Sequence, residues 1–229
     1  MAETVSEKGA AALAAHALGF VSAGQSIGLG TGRAATAFVH ALGRAVQSGL
    51  RVSGVPTSEA TTALARSLGI PLISLDDGPS LDLAVDGADE VDPKLDLIKG
   101  YGGALLREKI VAAASRRLVI LVGREKLVER LGSRGKLPVE VVPFAVGFCR
   151  ARLAEAGLAP VLRRMGAAPF LTDNGNHVLD CAVDPIADAP GLDARLRAIP
   201  GIVGTGLFLG MAHTVLVGHE GRITTMTRS

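Results

Sequence analysis

The stretch LDLAVDGADEVDPKLDLIKGYGGALLREKIVAAAS, residues 81–115, decides how the rest of the chain is read. It opens on an apolar strand pattern, Leu81, Leu83 and Val85, that runs straight into three acids, Asp86, Asp89 and Glu90. A second short apolar run, residues 95–98, ends at Lys99. Gly100-Tyr101-Gly102-Gly103 comes next, and then a helix pattern over residues 104–115 with Glu108 near its start. Carboxylates at one strand end, a lysine at the next, a glycine turn and a helix N-terminus describe a polar site on an apolar scaffold. Open α/β sheets bind their ligands at the carboxyl ends of strands.

Toward the N-terminus, residues 7–18 form an alanine-rich helix pattern. Residues 26–30 read as a short buried strand, followed by Thr31-Gly32-Arg33 and a helix over residues 34–46. Strand, glycine turn and helix form a cradle for phosphate, because glycines let the backbone approach an anion and the helix start offers unbonded N–H groups. The segment also meets the loose dinucleotide pattern, but the next strand, residues 50–55, ends without the acid that would hold a nicotinamide dinucleotide ribose. A helix then runs to Leu68, with Thr57 or Ser58 as its N-cap and Thr61 or Glu59 completing the cap. The same hydroxyls suit sugar or phosphate oxygens, so both readings stand. Residues 70–75 read as a further strand, and Asp76-Asp77-Gly78-Pro79 as a turn.

Toward the C-terminus, residues 117–122 (RLVILV) are an apolar strand leading to Gly123-Arg124-Glu125-Lys126 and a short helix. Strands and helices alternate up to this point, which predicts a mostly parallel, doubly wound sheet. Gly132-Ser133-Arg134-Gly135 reads as a linker. Beyond it come a strand (137–142), a helix (144–156), two strands (160–165 and 177–183) across the turn at residues 173–176, a helix (192–199) and a strand from Ile202. The order β-α-β-β-α-β is the split ferredoxin-like unit. Tail segments 214–217 and 222–226 are expected to return to the first sheet. The predicted architecture is a Rossmann-like catalytic domain of residues 1–130 and 205–229 with a ferredoxin-like α+β domain of residues 131–204.

Composition narrows the classes of function. A formal charge of +2 lacks the clustered basic stripe of a nucleic-acid surface. No apolar run approaches the roughly 20 residues of a membrane helix. Glu3 and Glu7 stand where a secretory signal would carry positive charge. The two cysteines, Cys149 and Cys181, have no metal-site spacing, and the expected setting is reducing and cytoplasmic, with a Cys149–Cys181 disulfide as the minor alternative.

The chemistry-bearing side chains each admit two readings. On the helix wheel Leu106, Ile110 and Ala113 make the apolar stripe and Glu108 lies opposite, as a solvated acid beside Arg107 and Lys109 would. The glycine turn before it supports the other reading, a carboxylate whose burial raises its pKa for general-base work. Asp86 and Asp89 either cap their Gly-Ala turn or, with Glu90 and Lys99, move protons between oxygens while the lysine stabilises an oxyanion. The five histidines, His16, His40, His177, His213 and His219, are scattered, which gives no support to metal ligation or to Ser/His/Asp or Cys/His catalysis.

Taken in order, the motifs resemble ribose-5-phosphate isomerase of the A type: GLGTG at residues 28–32, PTSEATTALA from Pro56, DGADE at 86–90, KG-GG-AL-REK over 99–109, PVEVVPFA from Pro138, TDNGNHVLD from Thr172 and IPGIVGTGLF from Ile199. The resemblance implies interconversion of D-ribose 5-phosphate and D-ribulose 5-phosphate through a cis-enediolate, without metal or other cofactor, in the pentose phosphate pathway. It implies that Glu108 carries the proton between C2 and C1, that Asp86 serves the O1 and O2 oxygens, that Asp89 helps open the ring, and that Lys99 stabilises the enediolate together with the loop of Gly100, Gly102 and Gly103. Gly30, Thr31, Gly32, Lys126 and Lys8 are the substrate-binding residues that the resemblance implies, the chemistry of Arg33, Thr57 and Ser58 adds these three as candidates, and a homodimer or homotetramer is the implied assembly.

Two positions depart from the family's usual pattern. Arg33-Ala34 stands where many members carry two hydroxyl residues, so Arg33 either holds phosphate by a bidentate contact or faces solvent. Tyr101 stands where members usually have glycine, and a bulky residue there needs an ordinary backbone conformation or a pocket for its ring. A sugar-phosphate-sensing module of the same fold without turnover is the alternative function. The set Glu108, Asp86, Asp89 and Lys99 argues against it.

Overall fold

The computed structural model describes residues 6–77 and 80–228. Gly78 and Pro79 of the expected turn, Glu3 of the N-terminal reading, and residues 1–5 and 229 of the expected first domain lie outside the described residues.

The elements run α1 (Glu7–Leu18), β1 (Ser26–Leu29), α2 (Arg33–Gln47), β2 (Ser53–Pro56), α3 (Glu59–Ser67), β3 (Leu83–Gly87), β4 (Glu90–Val91), β5 (Leu97–Ile98), α4 (Leu105–Ala114) and β6 (Leu118–Gly123). They continue with β7 (Lys136–Val141), α5 (Val146–Glu155), β8 (Ala159–Leu162), β9 (Arg164–Met165), β10 (Ala168–Pro169), β11 (His177–Ala182), α6 (Ala189–Arg197), β12 (Ile202–Thr205), β13 (Leu207–Phe208), β14 (Thr214–His219) and β15 (Arg222–Thr227). Short 3-10 turns follow β6 at Arg124–Lys126 and β7 at Pro143–Ala145. Contacts group the chain into one unit of Met1–Ala88, Arg107–Leu127 and Met211–Ser229, and a second of Asp89–Leu106 and Val128–Gly210. The segment 89–106, expected in the Rossmann-like domain, therefore groups with the second unit.

In the first unit a six-stranded sheet has the order β15-β14-β6-β3-β1-β2, parallel except for β15. The continuous apolar run of β6 is buried along its whole length, because it lies between β3 and β14. At the edge, β15 leaves most of its residues exposed. The core gathers Leu13, Ile27, Leu29, Phe38, Leu42, Leu83, Val85 and Leu121. Ser6 caps α1 by accepting from the Gly9 N–H at 3.1 Å, and Ser58 caps α3 in the same way from Thr61 N–H at 3.1 Å. The chain order reverses between β1 and β3, so the turns that follow these two strands mark the switch point where ligands of such sheets bind.

The second unit holds a four-stranded antiparallel sheet of order β12-β7-β11-β8 crossed by α5 and α6, the ferredoxin-like arrangement. A three-stranded sheet, β13-β5-β4, and the hairpin β9-β10 complete it. Its core includes Ile98, Leu137, Val139, Val141, Leu153, Leu179 and both cysteines, which are free thiols. Burial pushes the Cys181 thiol up to about 12.

Several expectations are corrected. Residues 70–75 form no strand: Leu72 makes one bridge to Gly54, and Pro71, lacking an N–H, cannot extend the ladder. The expected strand 160–165 breaks at Arg163 into β8 and β9. The stretch Gly132-Ser133-Arg134-Gly135 is no free linker. Glu90, 0% exposed, accepts from the N–H of Gly132 at 2.7 Å and of Arg134 at 2.9 Å. Glu90 thus anchors that turn through both carboxylate oxygens.

Candidate active site

The turn after β1 and the end of β3 are locked together. Gly30 N–H donates to Val85 O at 3.0 Å, and a Cβ at position 30 would lie 2.3 Å from Asp86 Oδ1 and 2.7 Å from Asp86 Cα. Only glycine fits this close approach. Asp86, 3% exposed, takes the Gly87 N–H at 2.7 Å and the Thr31 N–H at 3.2 Å on Oδ1. One carboxylate at a strand end is thereby held by two backbone donors, one of them from the neighbouring strand's turn.

Thr31 then meets the turn that follows β2. Its hydroxyl donates to Ser58 Oγ at 2.9 Å and lies 2.8 Å from Thr57 Oγ1 and 3.2 Å from Thr61 Oγ1. The Ser58 hydroxyl donates to Thr61 Oγ1 at 3.0 Å, Thr61 donates to Gly30 O at 3.1 Å, and Thr57 donates to Leu29 O at 3.1 Å. Thr57, Ser58 and Thr61 are buried. The expected hydroxyls at this turn thus brace the 30–32 loop, and Thr61 joins them as a residue the sequence reading left as a cap. Its signal was the spacing Ser58-x-x-Thr61, which sets both side chains on one turn. Gly32 is the N-cap of α2 and has no side chain to cap it, and Gly32 and Arg33 are both exposed.

Glu108 occupies the first turn of α4 and is 6% exposed. The buried side of α4 is Leu105, Glu108, Val111 and Ala112, while Ile110 is 47% exposed. The stripe expected from the helix wheel is wrong. Close packing explains why: a Cβ at Gly28 would meet Val111 Cγ1 at 2.4 Å, so β1 lies directly under the Val111 side and carries Glu108 inward with it. Arg107 Nη1 bonds Glu59 Oε1 at 2.8 Å, tying the start of α4 to the start of α3. A carboxylate in a first helical turn is favoured by the macrodipole. Lys8 is exposed in the first turn of α1, and Lys126 is half-buried in the 3-10 turn after β6.

The second unit holds the remaining expected residues. Asp89 Oδ2 accepts from the Tyr101 N–H at 2.9 Å. Lys99 is 3% exposed, its N–H donates to Gly206 O at 2.9 Å, and its Nζ lies 5.5 Å from the Phe208 ring centre. Gly102 is exposed and Gly103 buried. Gly103 has φ +90, and a Cβ there would meet Phe170 Cζ at 2.4 Å. Tyr101 packs on the second core, donates its hydroxyl to Lys136 O at 3.2 Å and lies under Lys136 Nζ at 4.2 Å. Burial and the nearby Glu90 and Asp89 charges raise its phenol far above the usual range. This is the pocket that the ring requires. Among the described residues no group of three or more His, Cys, Asp or Glu side chains could hold a metal ion.

Comparison with known proteins gives the family of the chain. Residues 53–222 match the family model of ribose 5-phosphate isomerase A (phosphoriboisomerase A). The chain is 56% identical over 212 residues to a ribose-5-phosphate isomerase A of Roseiflexus sp. (strain RS-1), covering 91% of each. Its fold is similar to the structure of ribose 5-phosphate isomerase A from Methanocaldococcus jannaschii, with a TM-score of 0.92 and 40% identity over 96% of this chain and 99% of that one. A D-ribose-5-phosphate isomerase solved with phospho-erythronic acid superposes with a TM-score of 0.93 at 37% identity, covering 97% of this chain and 99% of that one. With the family model matching well over half the chain and a relative 56% identical over 91% of it, the chain belongs to the ribose 5-phosphate isomerase A family.

Proposed function

We propose that this chain interconverts D-ribose 5-phosphate and D-ribulose 5-phosphate by proton transfer through a cis-enediolate, in the non-oxidative branch of the pentose phosphate pathway. The observation that carries the reading is the burial of Glu108 and Asp86 in a chain of this family. A similar enzyme's complex with phospho-erythronic acid, a phosphorylated sugar acid, supports the substrate class.

Glu108 acts as the base that takes the C2 proton and returns it to C1. Its burial at the start of α4 keeps the carboxylate out of bulk water, a setting suited to a general base. Asp86, oriented by two backbone N–H groups, moves protons between O1 and O2, and Asp89 assists opening of the furanose ring. Lys99 and the loop of Gly100, Gly102 and Gly103 stabilise the enediolate oxygen, a contact that counts most in the transition state. The phosphate lies at the start of α2, against Gly30, Thr31, Gly32 and Arg33, with Thr57 and Ser58 bracing the loop and Lys8 and Lys126 adding positive charge. No metal or other cofactor takes part.

The enzyme works in the cytoplasm as a homodimer or homotetramer. The exposed apolar side chains Phe144, Phe148 and Val203 support self-association of the second unit. Incubating the purified chain with either sugar phosphate and EDTA, and following both by NMR, tests the reading. The same final ratio reached from both sides is expected, and no conversion from either side overturns it.

A further inference from the structure

We infer that Arg163 is a positioning residue for the isomerisation, acting through the loop of residues 100–103. The inference rests on the enediolate-stabilising role proposed for that loop. Arg163 sits at the break between β8 and β9, where its N–H bonds Val178 O at 2.9 Å and its carbonyl takes the Phe170 N–H at 2.9 Å. Its guanidinium is largely buried and every edge has a partner. Nε donates to Asp180 Oδ2 at 2.9 Å and Nη2 to Asp180 Oδ1 at 2.5 Å, a two-point contact with a carboxylate on β11. Nη1 donates to Gly100 O at 2.9 Å and to Tyr101 O at 3.2 Å. The guanidinium carbon stands 5.7 Å from the Phe170 ring centre, and that ring fills the space beside Gly103.

These contacts determine what the loop can do. With the carbonyls of Gly100 and Tyr101 turned onto Arg163, the peptide planes are fixed. The Tyr101 N–H that holds Asp89 belongs to the first of those two peptides, so its direction follows from the Gly100 carbonyl's. A glycine loop by itself samples many peptide orientations. An arginine fork anchored by a carboxylate selects one. Asp180 in turn aims the fork, because a planar guanidinium bound on two nitrogens has no freedom to rotate. Neither residue is assigned a contact with substrate. They act by orienting donors and Asp89, and a displacement of about 1 Å in such groups costs on the order of 100-fold in rate.

The test compares the wild-type chain with Arg163→Ala, Arg163→Lys and Asp180→Asn, with ribose 5-phosphate as substrate and the assay kept below the melting range of all four. The expected result is a fall in kcat of about 100-fold for Arg163→Ala, with smaller falls for Arg163→Lys and Asp180→Asn. Added guanidinium ion at millimolar concentration should restore part of the Arg163→Ala rate. Amide hydrogen exchange should rise at residues 99–103 and stay unchanged along β7, which a general loss of folding would not produce. A folded Arg163→Ala with kcat within twofold of wild type overturns the inference alone. So does a loss that tracks the unfolded fraction, with faster exchange throughout the unit. A wild-type chain without turnover overturns the functional reading itself.

Discussion

Gly30 and Asp86 are in direct van der Waals contact across two neighbouring strands, with no room for even one carbon between the glycine Cα hydrogen and the carboxylate. The contact sets the carboxylate's position from the backbone of β1, while the Thr31 N–H sets its direction. Any side chain at position 30 must push Asp86 away. Gly30→Ala should lower kcat by about 100-fold, as expected for a reacting group displaced by about 1 Å, and lower stability by about 1–3 kcal/mol. Steady-state kinetics and a thermal melt read both. A kcat within threefold of wild type would mean that Asp86 need not stay where it is.

Glu90 has a different task from the acids beside it in sequence. Its oxygens take two backbone N–H groups of the turn at residues 132–134. Glu90→Gln replaces one acceptor by a donor facing a donor. A stability loss of about 1–3 kcal/mol is expected, with kcat of the folded protein changed less than threefold. Denaturant unfolding and kinetics check this. A large loss of kcat at unchanged stability would return Glu90 to the reacting group.

Arg33 stands exposed at the first position of α2, where an anion gains from the helix start. Arg33→Ala should raise the KM for ribose 5-phosphate about tenfold with kcat nearly unchanged, since a charged hydrogen bond contributes about 1.5–3 kcal/mol. An unchanged KM would place the side chain in solvent throughout the reaction.

The buried thiol of Cys181 links stability to alkaline pH. Burial, and after it the Asp180 charge, raise its folded pKa from the ordinary 9.0 to about 12. The unfolded chain releases that proton first, so stability is full below pH 9 and falls as pH rises toward 12, by at most about 1.4 kcal/mol per unit from this group. Cys181→Ala should lose stability at neutral pH and show a shallower decline between pH 9 and 10. Urea unfolding across that range measures it, and equal slopes in the two proteins would contradict the assignment.

The parts of the fold legible in the sequence are those set by local pattern. The strand, glycine turn and helix from Ser26 to Gln47 follow from an apolar run and two glycines, and β6 from an unbroken buried run. The β-α-β-β-α-β order likewise showed in turn and helix signals, and the structure places it in one antiparallel sheet. What failed was where tertiary packing overrides pattern. The wheel of α4 put Glu108 outside because it ranks residues by hydrophobicity, whereas packing on β1 buries Glu108 and exposes Ile110. A polar residue on a buried face breaks the pattern at the place where function is proposed. Arg163, Asp180 and Phe170 belong to no local motif near residues 100–103. Local pattern shows the strands on which Arg163 and Asp180 lie, but not that the Arg163 side chain reaches the carbonyls of that loop.

The proton carried by Glu108 is the centre of the account, and one experiment addresses it directly. Ribose 5-phosphate is converted in D₂O with EDTA present, and C1 of the ribulose 5-phosphate formed is examined by NMR, for the wild-type chain and for Glu108→Gln. Deuterium at C1 is expected with the wild type. Turnover by Glu108→Gln should be lower by about 10²–10⁴-fold, as loss of a general base implies, with KM within a few-fold of wild type. Undiminished turnover and deuterium incorporation in Glu108→Gln would contradict it.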